Sequence, residues 1–200
     1  AYKKGCEDKT IPYKKVMLGL KLRGLLAIGK GQFNPSASAL VEDMQGIPYA
    51  TYAFATHIAE VEVNTETGEV TVLKIVAAHD VGKAINVKNV EGQIEGGCLM
   101  GMGFALTEKL ELNKGHMKNP DFNSYIIQTA QDMPEIYPII VEEYSGEGPF
   151  GAKGVGEPAL IPAAPAIINA IYDAIGIRFT HLPLTADVVL DAIKKKKEMQ

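Results

Sequence analysis

A glycine-rich segment that ends in a single carboxylate is the part of the sequence best suited to chemistry. The run Gly148–Pro158 reads GPFGAKGVGEP and places Glu157 just before a proline and a stretch of helical spacing. Closely spaced glycines let the backbone approach a ligand. A carboxylate near a helix N-terminus is kept ionised by the peptide dipoles and is a competent general base. Glu157 is therefore the candidate base, and the alternative is a solvated loop glutamate.

Other catalytic and metal-binding patterns are missing. A phosphate-binding loop fails because Lys153 precedes Gly154 and no Gly-Lys pair is followed by Ser or Thr. Cys98 falls among apolar residues and is most simply a core cysteine. Glu91 and Glu95 lack the partners of a di-iron site. The four histidines have no ligand spacing, so we expect no protein-ligated metal; they are His57, His79, His116 and His181.

The clearest structural element is a β-hairpin upstream of this segment. Within Tyr52–Val63, the apolar residues of Ala59–Val63 fall on one face and Glu60 and Glu62 on the other, which is the period of a half-buried strand. The turn Asn64–Gly68 ends in a glycine that tolerates a positive φ. A second strand, Glu69–Ala78, follows it. The sequence therefore predicts two antiparallel strands, with His79 and Asp80 at the end of the second.

A glycine-rich helix is predicted after the hairpin, from Asn86 to Glu108. Glycines in a helix are unusual, because each costs about 1 kcal/mol relative to alanine. The pairs Gly92/Gly96 and Gly97/Gly101 are each four residues apart and share a face. Two interpretations stay open: the helix packs closely on another element, or its backbone passes close to a large flat ligand.

The remaining elements are mixed in type. Ile136–Tyr144 is predicted as a strand, and Pro138 favours an edge position. Two later helices follow, the first stopping at Gly176 and the second capped by Thr185. Further segments are predicted as extended or loop: Leu22–Phe33 and Ser124–Gln128 are extended, and Asn34–Pro48 is a loop. The order predicts an α+β fold with a mixed sheet, formed as a single domain over residues 1–200.

Composition narrows the class of protein. The net charge is −4, which argues against a nucleic-acid binder. No apolar run approaches the roughly 20 residues that cross a bilayer, and no signal peptide is visible. The distant Cys6 and Cys98 argue against a disulfide framework and favour a cytoplasmic setting. Because the chain does not begin with Met, we expect a fragment or a processed subunit.

Four stretches together resemble the C-terminal part of the molybdenum-binding subunit of the xanthine dehydrogenase/aldehyde oxidase family. They are AAHDVGKAINVKNVEGQIEGGCLMGMGFALTE, DFNSYIIQTAQDMP, GPFGAKGVGEPALIPAAPAIINAIYDAIG and RFTHLPLTADVVLDAI. The resemblance covers nearly everything from Leu22 to Ile193. Two residues depart from the family pattern: Gln128 stands where Pro is common, and Gln131 replaces an apolar residue.

The resemblance implies a fold of the molybdopterin-binding domain type and a site for the cofactor. Glu157, in the G-x-G-E motif, is then the base that deprotonates Mo–OH, whose oxygen attacks an electrophilic carbon while hydride passes to Mo=S. Gln93, in V-E-G-Q-I-E-G-G, is similar to a glutamine that contacts the pterin. A pterin lying against this helix would also explain why one face of the helix carries glycines. The loop residues expected beside the cofactor are Lys153, Gly154, Val155 and Gly156.

The resemblance also implies partners. They are the upstream part of the molybdenum subunit, iron–sulfur and FAD domains or subunits, and a small heterocyclic or aldehyde substrate, within an oligomer. Two hypotheses remain. In the first, the chain is part of a hydroxylase that acts on a purine or related N-heterocycle, or alternatively of an aldehyde oxidoreductase. In the second, it is a non-catalytic binding module. Because the upstream portion carries further cofactor contacts, we expect the isolated chain to be inactive and to hold no cofactor.

Overall fold

The computed structural model describes residues 8–34, 43 and 45–199. The chain divides into two compact units, residues 1–34 and 35–200, and the single domain over 1–200 stays a prediction. The first unit contains helix α1, Tyr13–Leu22, in which no residue is buried. This helix was missed by the sequence analysis. The predicted extended run is wrong at its start, where Leu22 is helical, and no strand forms in residues 23–34.

The second unit is built on the predicted hairpin, which is confirmed. Strands β1, Ala55–Val63, and β2, Val70–Asp80, are antiparallel, and Gly68 has a φ of +79° in the turn. The pairing shifts between Glu60 and Val61, because Glu60 faces Lys74 whereas Val61 faces Val72. Leu73 is therefore the extra residue of a β-bulge, which interrupts the alternation of β2.

The third strand of this sheet, β5, spans Glu135–Val141 and runs parallel to β2, giving the order β1-β2-β5. The predicted edge position of Pro138 is confirmed, since β5 lies at the end of that order and Pro has no N–H to donate to a further strand. A separate pair, β3 (Leu112–Asn113) and β4 (His116–Met117), forms a small hairpin. The predicted extended piece Ser124–Gln128 has no strand partner, and Ser124 lies in a turn.

Helix α2, Val87–Leu106, follows β2 as predicted. Its N-cap is Asn86, whose side chain accepts a hydrogen bond from the backbone of Asn89 at 3.1 Å. Such a bond satisfies one of the N–H groups that a helix leaves unpaired at its start. Helix α2 begins seven residues after the end of β2 and packs against β2 and β5.

Helices α3, Ala163–Ile175, and α4, Ala186–Glu198, complete the unit. Gly176 ends α3 in the left-handed conformation, as predicted, and its N–H donates to Tyr172 (2.7 Å). Thr185 is the N-cap of α4, although its hydroxyl bonds the carboxylate of Asp187 instead of the backbone. Within the described residues, no helix is both long and apolar enough to cross a membrane.

The core lies where α2 and α3 pack on one face of the sheet. Its largest wholly buried side chains come from every layer of the unit: Ile75 from β2, Ile94 from α2, Ile167 and Ile171 from α3, and Val189 from α4. Burial of each such side chain contributes about 1.5–3 kcal/mol. This core fixes β2, α2 and the start of α3 relative to one another, and these are the elements that carry the candidate site.

Candidate functional site

The glycine-rich segment is attached to the end of β2 by its first half. Lys153 donates its backbone N–H to the carbonyl of Val81 at 2.8 Å, and Lys83 donates to the carbonyl of Gly151 at 2.7 Å. These bonds extend the pairing of β2 beyond its last residue. We call residues 148–153 the loop foot, because they are held against the sheet.

Two glycines of this region are required by the close approach of the chain to itself. Gly82 has a φ of +61°, and a β-carbon there would lie 2.2 Å from the carbonyl oxygen of Gly151. Gly151 has a φ of +81°, and its β-carbon would lie 2.3 Å from the ring of Tyr144. Both conformations are ones that L side chains rarely adopt. Close packing within the chain therefore explains why these two positions are glycines.

A buried ion pair also holds the foot. The ammonium nitrogen of Lys153 lies 2.5 Å from Oδ2 of Asp80, and the two side chains are only 10% and 9% exposed. Burial acts against ionisation of Asp80, but the hydrogen bonds from Lys153 and from the backbone of Gly82 and Glu143 outweigh it. They hold the pKa of Asp80 below its usual range. Of the predicted cofactor-binding residues, Lys153 thus has a partner for its charge inside the protein.

The second half of the segment is exposed except at Val155, which packs against the core. A β-carbon on Gly154 would have no atom within 4 Å, and the side chain of Glu157 is exposed. The carbonyl of Glu157 accepts a hydrogen bond from Leu160 (3.1 Å), in a series of turns that continues to Pro162. Helix α3 begins only at Ala163. The expectation that a helix dipole acts on Glu157 is therefore wrong, because the effect is confined to the first turn.

Gln93 lies beside this second half. The amide oxygen of Gln93 is 3.2 Å from the position that a β-carbon would take on Gly156. The exposed side chain of Gln93 therefore stands on the same side of the molecule as the loop. Helix α2 and the glycine-rich segment thus present the amide of Gln93, the backbone of residues 154–156 and Glu157 to a common region of the surface.

The helix glycines fall on two faces of α2, and the packing interpretation accounts for one of them. A β-carbon on Gly97 would lie 2.6 Å from the β-carbon of Ala159, and one on Gly101 would lie 2.5 Å from that of Ala163. These contacts are shorter than real β-carbons make. Close packing on the residues that lead into α3 therefore explains these two glycines, as the packing interpretation predicted.

Gly92 and Gly96 are different. Both are exposed, and a β-carbon on either would meet no atom within 4 Å. Packing within the described residues thus gives no reason for glycine at these positions, although each lowers helix stability by about 1 kcal/mol. The face that carries them is the face beside Gln93, so a bare strip of backbone borders the region that the loop also faces.

A cavity of about 410 Å³ adjoins Glu157 through the next residue, Pro158. Its lining has no charged side chain and consists of Tyr49, Thr51, Tyr52, Ala53, Ala55, Pro158, Ile161 and Pro162. The rings of Tyr49 and Tyr52 meet edge to face with centroids 6.2 Å apart. The cavity is suited to a small apolar or aromatic group. The Asn34–Pro48 loop, which leads to it, lies largely outside the described residues.

The two glutamines that depart from the family pattern lie elsewhere. Gln128 donates to the hydroxyl of Thr107 at 3.2 Å, and both Gln128 and Gln131 line a cavity of about 510 Å³. Met102 and Leu106 form part of its wall. Leu106 is 13 residues beyond Gln93 on the helix, which corresponds to about 20 Å. These departures are thus remote from the region around Glu157.

A pair of histidines lies in the interior. The Nε2 atoms of His57 and His79 are 2.6 Å apart, so one ring donates and the other accepts, and Nδ1 of His57 is 4.0 Å from Sγ of Cys98. Burial, followed by the charge of His79, lowers the pKa of His57 to about 4, and burial lowers that of His79. The expected core position of Cys98 is confirmed, and burial raises its pKa to about 12.

The spacing of these histidines in the sequence gives no sign of their contact, and no motif marks Asp80. The inward alternation of β1 includes His57, which was a signal for a buried histidine. Among the residues that the structure describes, no group of three or more His, Cys, Asp or Glu side chains could hold a metal. Because the pKa values of both histidines are lowered, both rings are neutral at pH 7, and the His57–His79 contact is a hydrogen bond between them.

Comparisons with known proteins identify the family of this chain. The profile of the molybdopterin cofactor-binding domain matches residues 3–134. A probable xanthine dehydrogenase component from Bacillus subtilis is 32% identical over 145 residues, and the aldehyde oxidoreductase molybdenum-binding subunit PaoC of Escherichia coli is 37% identical over 148. Each match covers 72% of this chain but 20% of the relative. The chain thus spans about one fifth of the length of these proteins.

A solved structure also matches this chain. The aldehyde oxidoreductase from Desulfovibrio desulfuricans matches with a TM-score of 0.77 and 38% sequence identity. The match covers 88% of this chain and 19% of that protein. The α+β fold, with its mixed sheet and packed helices, is therefore the fold of one part of that larger enzyme.

Proposed function

Because this chain belongs to the molybdopterin cofactor-binding domain family, we propose that it is the C-terminal part of a molybdenum hydroxylase. In this proposal the intact enzyme oxidises a small substrate at carbon, and the chain contributes one wall of the cofactor site and the catalytic base. The likeness to both xanthine dehydrogenase and aldehyde oxidoreductase subunits supports the reaction class.

The observation that carries the proposal is the open backbone beside Gln93. Gly92 and Gly96 on α2 and Gly154 on the loop all have free space where a side chain would stand. A backbone without side chains lets a large, flat molecule such as a pterin lie in contact with the peptide groups. The residues present therefore fit the cofactor.

Each predicted residue has a role in this proposal. Gln93 would hydrogen-bond the pterin through its side-chain amide, and Gly154, Val155 and Gly156 would border the cofactor through their backbone. Lys153 would contribute by holding the loop, because its ammonium is engaged by Asp80. When bound, the molybdenum cofactor would supply the oxygen that is transferred and would take up two electrons.

Glu157 would be the general base. Its carboxylate is exposed on the second half of the loop and accepts no ion pair from a described residue, so it is available to take a proton from a group held against the loop. Pro158, the next residue, lines the apolar cavity. A substrate held in that cavity would thus lie next to the residue that follows the base.

The substrate would be a purine or related N-heterocycle, or, as a second candidate, an aldehyde. The heterocycle was favoured by the sequence motifs. The lining of the cavity is mostly apolar but includes Tyr49, Thr51 and Tyr52, whose hydroxyls can hydrogen-bond, so it suits an aromatic ring of either substrate class. Steady-state assays of the intact enzyme with hypoxanthine and with an aromatic aldehyde decide between them.

The proposal includes partners for electron transfer. Iron–sulfur clusters and FAD would be carried by other domains or subunits of a cytoplasmic oligomer, and the upstream part of the molybdenum subunit would complete the cofactor site. The one-fifth span of this chain in its relatives supports the requirement for upstream polypeptide.

The test of the base is Glu157→Gln in the intact enzyme, with Glu147→Gln as the control. Both residues are exposed glutamates of the same loop region, so the two changes alter charge equally. General-base catalysis contributes about 10²–10⁴-fold, and we expect Glu157→Gln to lose turnover at or beyond the upper end of this range with full molybdenum content. A variant that keeps more than about a tenth of wild-type turnover contradicts the role.

A further inference from the structure

Lys153 joins the glycine-rich segment to the end of β2, four residues before Glu157. The backbone N–H of Lys153 is bonded to Val81 at 2.8 Å, whereas the next residue, Gly154, has open space around its β-carbon position. Lys153 therefore holds the segment on the N-terminal side of Glu157, while Val155 packs against the core and Ala159 is buried on the other side of Glu157.

An ion pair with Asp80 holds the side chain of Lys153 in place. Its ammonium lies 2.5 Å from Oδ2 of Asp80, and Oδ1 of Asp80 accepts the N–H of Gly82 at 3.0 Å. The ring of Phe54 lies 5.7 Å from the same ammonium. Both charged side chains are about nine-tenths buried. Removing one partner of such a pair strands a buried charge, so Lys153 cannot shift without a large loss of stabilisation.

We propose that Asp80 and Lys153 are positioning residues for Glu157. Their ion pair fixes the loop foot on β2, and the foot fixes the start of the segment that carries the base. This inference rests on the proposed function of Glu157. It also assigns the Lys153 side chain to holding the loop instead of contacting the cofactor. A catalytic group displaced by 1 Å can lose about 100-fold in rate.

A second ion pair next to the loop foot supplies a matched control. Lys83 and Glu142 are 2.8 Å apart, but their side chains are 56% and 44% exposed. Water replaces either partner of an exposed pair, so its loss has little effect. Lys153→Met and Lys83→Met therefore remove the same charge from a buried and an exposed pair, and Lys153→Arg keeps the charge in the buried pair.

The first measurement is amide hydrogen exchange in the 200-residue chain, followed in peptides that cover residues 145–153. We expect Lys153→Met to speed exchange in these peptides, Lys83→Met to leave it unchanged, and Lys153→Arg to restore most of the protection. The double variant Asp80→Asn/Lys153→Met removes both charges and tests the same contact if Lys153→Met alone does not fold. Unchanged exchange in Lys153→Met, or in the double variant if that one is used, overturns the inference.

The second measurement is steady-state kinetics in the intact enzyme, with molybdenum content determined in parallel. Lys153→Met is expected to lower kcat by about 10- to 100-fold at unchanged KM and molybdenum content, and Lys153→Arg to recover most of it. Unchanged kcat, or a loss of kcat in proportion to molybdenum, overturns the positioning role. Full activity in Glu157→Gln instead refutes the proposed base, while hydrogen exchange still decides whether the pair holds the loop.

Discussion

Two adjacent glycines of helix α2 provide a sharp test of the packing argument. Gly96 and Gly97 are neighbours in the same helix, so replacing either by alanine gives the same gain in helix propensity, about 1 kcal/mol. Only their surroundings differ. A β-carbon on Gly96 meets no atom within 4 Å, whereas one on Gly97 meets the β-carbon of Ala159 at 2.6 Å and the backbone nitrogen of Leu160 at 2.9 Å.

The contacts at Gly97 involve backbone and a β-carbon, which cannot move aside as the end of a long side chain can. Overpacking of this kind costs about 1–3 kcal/mol. We therefore expect Gly96→Ala to raise the free energy of unfolding by up to about 1 kcal/mol. Gly97→Ala is expected to be less stable than Gly96→Ala by about 1–3 kcal/mol, which is the overpacking cost alone.

Urea denaturation of the 200-residue chain, followed by circular dichroism, measures both values. The m-values of the two variants are expected to match that of the wild type, because neither change alters the surface exposed on unfolding. If Gly97→Ala is as stable as Gly96→Ala within about 0.5 kcal/mol, α2 does not pack on the residues before α3 as described.

Three further predictions concern other parts of the molecule. Gly68→Ala is expected to lower the free energy of unfolding by about 2 kcal/mol or more in a urea titration, because its φ is positive and the new β-carbon would lie 2.1 Å from the carbonyl oxygen of Ala186. The pKa of His57 is about 4 when folded and 6.5 at its ordinary value, so the unfolded chain takes up a proton that the folded chain refuses. Stability should fall as the pH drops from 6.5 toward 4, and His57→Gln should flatten this fall while the exposed His116→Gln does not. The purified 200-residue chain is expected to contain no molybdenum by elemental analysis, because a cofactor of this size needs contacts from more than one domain; stoichiometric molybdenum would contradict this.

The family resemblance and the local elements were readable from the sequence because they depend on residues close together in the chain. The alternation of apolar and polar residues over Ala59–Val63 predicts a half-buried strand without reference to the rest of the chain. Asn86 caps α2 and Gly176 ends α3 through hydrogen bonds to residues three or four positions away. Helix α1 was missed because its lysine-rich sequence has neither a side-chain cap nor a buried face.

Tertiary structure decided the features that join distant segments. Asp80 and Lys153 are 73 residues apart, and nothing in the spacing of either motif indicates that β2 and the glycine-rich loop meet. The same holds for Gly92, Gly96, Gly97 and Gly101, which form one glycine pattern in the sequence. Only the position of α3 divides them into a packed face and an open face, because a glycine's role depends on what lies where its side chain would be.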